Sequence, residues 1–297
     1  MGEILIGTCS WTDPTLIQSG RFYPGWAGTA ETRLRFYAGQ FPVVEVDSSY
    51  YAMPAEKTSR LWVERTPDGF VFDVKAFRLF TQHPAPPSSL PKDVREALPA
   101  ATRQKSRLYQ RDIPKEMLDD LWRRFESALL PLDSAGKLGV VLFQFPPWFY
   151  PGEEQRDYIL SCSERLPQYR IAVEFRHNSW VSEKNLERTL GFLRHNDLPL
   201  VCVDEPQGFK SSVAPVLETT SDIGLVRLHG RNCDTWEKPG IGPAERFNYL
   251  YTEEELGRWV PGIKELVGKT RQLHVLFNNC HQDKGVVNAR QLGYMLD

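Results

Sequence analysis

Glu174, Asp204 and His229 are two carboxylates and an imidazole, each ending a short apolar run, and the three runs follow one another in the chain. A carboxyl shielded from water has a raised pKa and can donate a proton, while a solvated neighbour stays ionised as base or nucleophile. Imidazole titrates near neutrality. The trio therefore points to acid–base catalysis. Lys75, Arg176 and Arg231 end or follow other apolar runs and could hold an anionic or developing negative group. Glu45, Asp47, Gln144, Asn278 and Asn279 could bind the polar groups of a ligand, the amides taking its hydroxyls or amides. Trp11, Tyr50, Tyr51, Trp148, Trp180 and Trp236 lie near the same run ends. One aromatic alone is more often packing, but together they favour a ring-bearing or carbohydrate-like ligand.

Other chemistries compete for the same residues. Glu174, Asp204 and His229, with Glu45, form a mixed oxygen and nitrogen set that suits a divalent metal such as Mn, Zn or Fe. Against it, no His-x-His or His-Glu-x-x-His occurs, and nearby Arg and Lys neutralise the same carboxylates. Cys9, Cys233 and Cys280 follow the first, seventh and eighth runs and could hold an iron–sulfur cluster or a soft metal, although no Cys-x-x-Cys is present. Arg231 and the stretch 278–285 occupy the region where barrels often hold phosphate. Arg103, Lys105, Arg107 and Arg111 form a basic run that reads first as a solvated face. With the aromatics, that run keeps nucleic acid as an alternative partner.

The elements that must position these groups are legible as eight apolar runs. They are Ile4–Thr8, Val43–Asp47, Phe70–Lys75, Gly139–Gln144, Ile171–Phe175, Leu200–Asp204, Leu225–His229 and His274–Asn278. Amphipathic stretches separate most of them: 29–39, 54–65, 115–130, 154–166, 183–194, 252–267 and 287–296. Alternating strands and helices predict parallel βαβ units, and eight of them predict a closed (β/α)₈ TIM barrel spanning 1–297 as one domain. No Gly-x-Gly-x-x-Gly follows the first strand, so a dinucleotide site has no support. The stretch from about 77 to 137 is a long insertion after the third strand and reads as a lid or mouth-covering segment. Pro206 and Pro215 leave no room for a full helix between the sixth and seventh strands.

Side chains alternate along a strand between the barrel interior and the helix layer. With the polar register inward, Glu45, Asp47, Asp73, Lys75, Gln144, Glu174, Arg176, Asp204, Arg227, His229 and Asn278 share the interior. Their neighbours Val44, Val46, Val74, Phe143, Val173, Val203, Leu228 and Phe277 then face the helices. Buried charges are costly unless paired, so this set must neutralise itself internally, as Glu174 with Arg227 or Asp73 with Lys75, or bind something. Apolar residues would fill a barrel at lower cost than so many ions, which favours a functional site.

Composition narrows the class further. The 297 residues are 41% hydrophobic and 25% charged, ordinary for a globular chain. Thirty-six basic residues against 38 acidic ones give a net charge of -2, so no nucleic-acid-coating surface is implied. No stretch approaches the ~18 apolar residues of a membrane span, and no signal peptide is evident. Five widely spaced cysteines argue against a disulfide framework and fit a reducing cytoplasm.

The motifs Gly7-Thr8-Cys9-Ser10-Trp11, Arg21-Phe22-Tyr23-Pro24, 44–51, 72–76, Phe143-Gln144-Phe145-Pro146-Pro147, Glu174-Phe175-Arg176-His177, 203–206, Arg227-Leu228-His229-Gly230-Arg231-Asn232 and Phe277-Asn278-Asn279-Cys280 occur in order along nearly the whole chain. Jointly they resemble the domain-of-unknown-function 72 family, also called YecE-like. The resemblance implies a TIM-type barrel and brings no reaction with it. Members more often look like Gly-Thr-Ser at the first motif and Asn-Asn-His at the last, so Cys9 and Cys280 are not family-wide catalytic thiols. The sequence thus leads to an enzyme performing hydrolytic or isomerising acid–base chemistry on a small polar ligand, carbohydrate-like or phosphorylated. A metal-dependent phosphodiesterase acting on nucleic acid and a non-catalytic metabolite-binding barrel are the alternatives.

Overall fold

The computed structural model describes residues 2–297. Eight parallel strands form one sheet: β1 (Glu3–Thr8), β2 (Val43–Val46), β3 (Val71–Lys75), β4 (Leu138–Gln144), β5 (Ile171–Glu174), β6 (Val201–Asp204), β7 (Ile223–Leu228) and β8 (Gln272–Phe277). Their spatial order is β5-β4-β3-β2-β1-β8-β7-β6, and a parallel bridge from Val173 to Leu200 joins the two ends into a barrel. The helices packed around it are α1 (Ala30–Ala38), α2 (Glu56–Glu64), α3 (Lys115–Ser134), α4 (Glu153–Arg165), α5 (Leu186–His195), α6 (Val260–Gly268) and α7 (Lys284–Leu296). The expected (β/α)₈ architecture is the observed one. Among the described residues, none of the β6–β7 connection is helical, as Pro206 and Pro215 predict.

Register decides which side chains face inward, because partners in a parallel ladder share a face. Glu45 pairs with Asp73, Lys75 with Leu142, Gln144 with Glu174, Val203 with Arg227, and Arg227 with Leu276. These residues line the interior. Asp204 pairs instead with Leu228 and faces the helix layer. The inward assignment of Asp204 and the outward one of Val203 are therefore both reversed in β6.

Two apolar clusters hold the fold. The larger lies mostly between strands and helices, with inward side chains such as Leu142 and Val203, and the smaller, made of Leu5, Cys9, Val43, Val71 and Leu276, occupies the barrel interior. Beside it Asp73 and His274 meet at 2.8 Å, and the Val140 N–H donates to Asp73 at 3.0 Å. Asp73 thus pairs with His274, not with Lys75. Gly139 makes room for this pair: a Cβ there would lie 2.3 Å from Asp73 Oδ1.

The segment 76–114 precedes α3 and carries only short helical turns. It folds onto itself through an antiparallel bridge between Ala85 and Leu108, and it buries Leu90, Val94, Leu98 and Ile113. Within the basic run, Lys105 pairs with Asp112 at 2.6 Å, and Arg111 lies over the Tyr109 ring. Among the described residues, no helix is long and apolar enough to cross a membrane.

Candidate active site

The carboxyl ends of the strands surround a cavity of about 520 Å³. Asp47, Lys75, Gln144, Arg176 and Asn278 line its inner wall, and Tyr50, Tyr51 and Trp148 stand at one side. The other side comes from 211–247, through Ser211, Trp236, Glu237, Arg246 and Phe247. No residue of 77–114 lines the cavity. From that segment the His83 ring packs edge-on against Tyr50 and Trp148, and the Arg78 guanidinium lies over the Tyr50 ring. The 211–247 segment is held by Trp236 Nε1 donating to Ser211 Oγ at 3.0 Å and Ser211 Oγ donating to Glu237 at 2.8 Å.

Beneath the cavity floor lies a sealed ionic cluster centred on Arg227. Its Nε and Nη2 each donate to Glu45 at 2.8 Å, its Nη1 pairs with Glu174, and its Nη2 also reaches Cys9 Sγ at 3.6 Å. Glu45, Glu174 and Arg227 are all fully buried. Burial pushes the Glu174 carboxyl up, but Arg227 and Arg176 together outweigh it and hold the group well below the usual carboxylate range. Glu174 is therefore a fixed anion.

His229 is equally buried. Its Nδ1 accepts from Asn278 Nδ2 at 2.8 Å, which leaves the Nε2 proton facing Glu174 Oε1 at 3.3 Å. That contact is out of line for a hydrogen bond, and neither atom has a well-formed hydrogen bond elsewhere. Burial first, and then Arg176, drop the His229 pKa to about 3, so the imidazole is neutral.

Arg176 separates this pair from the cavity. Its Nε lies 3.0 Å from Glu174 Oε1, its Nη1 pairs with Glu205, and its guanidinium lies 5.1 Å from the centre of the Trp236 ring. Glu205 also accepts from the Val213 N–H. Burial raises Glu205 to about 7 despite Arg176. On the cavity wall Asp47 rises to about 7 as well, through burial and the nearby Glu45 charge, with Lys75 opposing. Lys75 is lowered by burial and by Arg227, and its Nζ donates to Gln144 Oε1 at 3.0 Å.

Asp204 belongs to another network. Arg231 grips it through two 2.9 Å bonds and reaches Glu255 at 3.2 Å. Neither Asp204 nor Arg231 lines the cavity. Asn279 is buried and donates to Tyr249 O and to Asn288, which ties the β8 end to α7. Trp11 packs edge-on against Trp62 and Phe72, and Trp180 stacks between Phe149 and Phe175; both are core.

The proposed metal ligands are not assembled. Among the described residues, no group of three or more His, Cys, Asp or Glu side chains is placed to hold a metal ion. Glu174 is ion-paired with two arginines, and Asp204 points away. Cys9 is sealed in the interior while Cys233 is exposed, so the three thiols share no site. Glu205 is the residue that inspection of the sequence passes over. Counting inward positions in β6 as Val201, Val203 and 205 would have found it.

The chain matches the family described as "Protein of unknown function DUF72" over residues 5–297. It belongs to the DUF72 family. A relative in Bacillus subtilis (strain 168), the UPF0759 protein YunF, is 32% identical over 99% of this chain and 95% of its own length. A DUF72 crystal structure from Thermotoga maritima is 29% identical, covers 99% of each chain and superposes with a TM-score of 0.74. Another from Enterococcus faecalis has a TM-score of 0.78 at 24% identity over 99% of this chain and 95% of its own, a likeness of fold. In this DUF72 protein the motifs at strand ends converge on the cavity and the ionic cluster below it.

Proposed function

We propose that this DUF72 protein is an enzyme using acid–base chemistry, hydrolytic or isomerising, on a small polar ligand that carries a ring and an anionic group. The observation that carries the reading is that Asp47 and Lys75 line the same cavity wall, with burial shifting both. The Asp47 carboxyl at about 7 can give or take a proton near neutrality, and burial lowers the Lys75 ammonium on the same wall. The cations Lys75, Arg176 and Arg246 suit a phosphate or carboxylate, and Tyr50, Trp148 and Trp236 suit the face of a sugar or other ring. Glu174 and His229 stand behind Arg176 as a fixed anion and a neutral imidazole.

The test is a screen of sugar phosphates and related anionic ring compounds by thermal shift, followed by turnover assays on the compounds that bind. Asp47→Asn is expected to leave binding within about threefold and to lower kcat by 10²-fold or more, the usual worth of a general acid or base. Binding without turnover would replace the enzyme with a metabolite-binding barrel, and equal turnover by Asp47→Asn would remove Asp47 as its acid–base group.

A further inference from the structure

Arg176 lines the cavity and also pairs with Glu174 Oε1, and behind it Glu174 Oε1 and His229 Nε2, both fully buried, face one another at 3.3 Å without a well-formed hydrogen bond. Buried polar atoms in proteins almost always have partners, so such a pair marks a place where a ligand atom belongs. We propose that Arg176 is a specificity-determining latch: an anionic group of the ligand draws its guanidinium off Glu174 and Glu205 into the cavity. A hydroxyl of the same ligand then takes the place Arg176 Nε leaves beside the facing pair, donating to Glu174 Oε1 and accepting from His229 Nε2. The proposal builds on the acid–base function given above and names what its ligand must carry, an anionic group and a hydroxyl.

The charges permit the exchange. When Arg176 leaves, Glu174 keeps Arg227, with which it is fully buried. Glu205 keeps only the Val213 N–H, faces the Glu174 charge, and has no second cation beside it. It sits near half-protonation in the closed state, so taking one proton from solvent is a small step. The Arg176 charge is then neutralised by the ligand anion, and the Glu205 charge by the proton. His229 is surrounded by Glu174, Arg176, Arg227, Asn278, Trp236 and Phe247. Withdrawal of Arg176 removes one of the two cations that add to burial in keeping the ring neutral.

Inorganic sulfate is the probe, because it does not itself titrate near neutrality. Calorimetry at pH 7 in two buffers of different ionisation enthalpy reads the protons taken up on binding, and histidine-ring NMR follows His229. Sulfate is expected to bind the wild-type protein with uptake of a fraction of a proton, and the His229 titration is expected to move upward. Glu205→Gln should bind sulfate at least as well with that uptake gone, and Arg176→Met should bind at least tenfold more weakly. Asp47 also titrates near 7, so Asp47→Asn is the control that separates the two carboxyls. The latch is overturned if sulfate does not bind. It is equally overturned if the uptake survives in Glu205→Gln but disappears in Asp47→Asn, or if His229 does not respond to sulfate. The His229 reading needs only wild-type protein and decides the matter should Glu205→Gln fail to fold. None of these readings depends on turnover, so loss of the latch leaves the acid–base function standing, and loss of that function leaves the latch as a binding device.

Discussion

Val203 and Arg227 lie side by side in register across β6 and β7, and that pairing carries Glu205, not Asp204, to the cluster beneath the cavity. The two adjacent acids therefore have separate roles. Asp204→Ala strips Arg231 of both 2.9 Å bonds. With Arg231 partly exposed, the expected cost is about 1–2 kcal/mol of stability. Urea denaturation measures that loss, and sulfate affinity, read by calorimetry, should stay within about twofold. A Glu205-like loss of coupled proton uptake in Asp204→Ala would contradict the separation.

That reversal shows how far the sequence is readable. In β2, β4 and β7, polar and apolar residues alternate around Glu45, Gln144 and Arg227, so one polar residue fixes the face of its whole strand. In β6 the run Val201-Cys202-Val203 is apolar throughout and two acids follow, so alternation carries no information. Only the register with β7 settles it, and register is a long-range property. Helix α3 gives a smaller case. Pro131 invites an end at Leu130, yet the helix runs to Ser134 with the proline in its last turn. The outer wall of the cavity is the least legible part. Trp236 is expected at the mouth, but Arg246 and Phe247 reach it from an irregular segment in which neither periodicity nor strand parity says where a side chain points.

Arg227 is joined to Glu45 by two parallel bonds and to Glu174 by a third contact, all without exposure to water. Removing the cation leaves two buried carboxylates uncompensated. Arg227→Met is expected to destabilise by about 3–5 kcal/mol, read from urea denaturation at pH 7. Because protonation is the escape open to the stranded acids, the deficit should shrink when the measurement is repeated at pH 5. A deficit independent of pH would mean that lost packing, not stranded charge, is the cause.

Asp47 gives a pH dependence of known sign. Its folded pKa of about 7 lies above the 3.8 of the free side chain. The folded state therefore binds more protons between those values, and the group's contribution to stability is fully present below pH 3.8. It is lost as pH rises towards 7. Glu205, also at about 7, acts in the same direction. Asp47→Asn removes the ionisation, so the variant should gain on the wild type as pH is raised from 5 to 8. The gain expected is about 1–3 kcal/mol, reduced from the full linkage value because the cavity admits water. Parallel urea curves for the two proteins across that range would show instead that Asp47 is not perturbed.

Trp148 is half exposed at the cavity edge, with the His83 ring edge-on against it and Tyr50 beyond. An exposed indole makes little net contribution to folding, so its placement at the mouth is better explained by a ring laid against its free face. Trp148→Ala should leave the urea midpoint nearly unchanged. It should weaken a ring-bearing anionic ligand by about fivefold to tenfold, the worth of one aromatic contact. Sulfate, which has no ring, should bind the variant as it binds the wild type. The comparison of the two ligands on one variant separates stacking from charge: equal weakening of both would place Trp148 in the support of Arg176 rather than on the ligand.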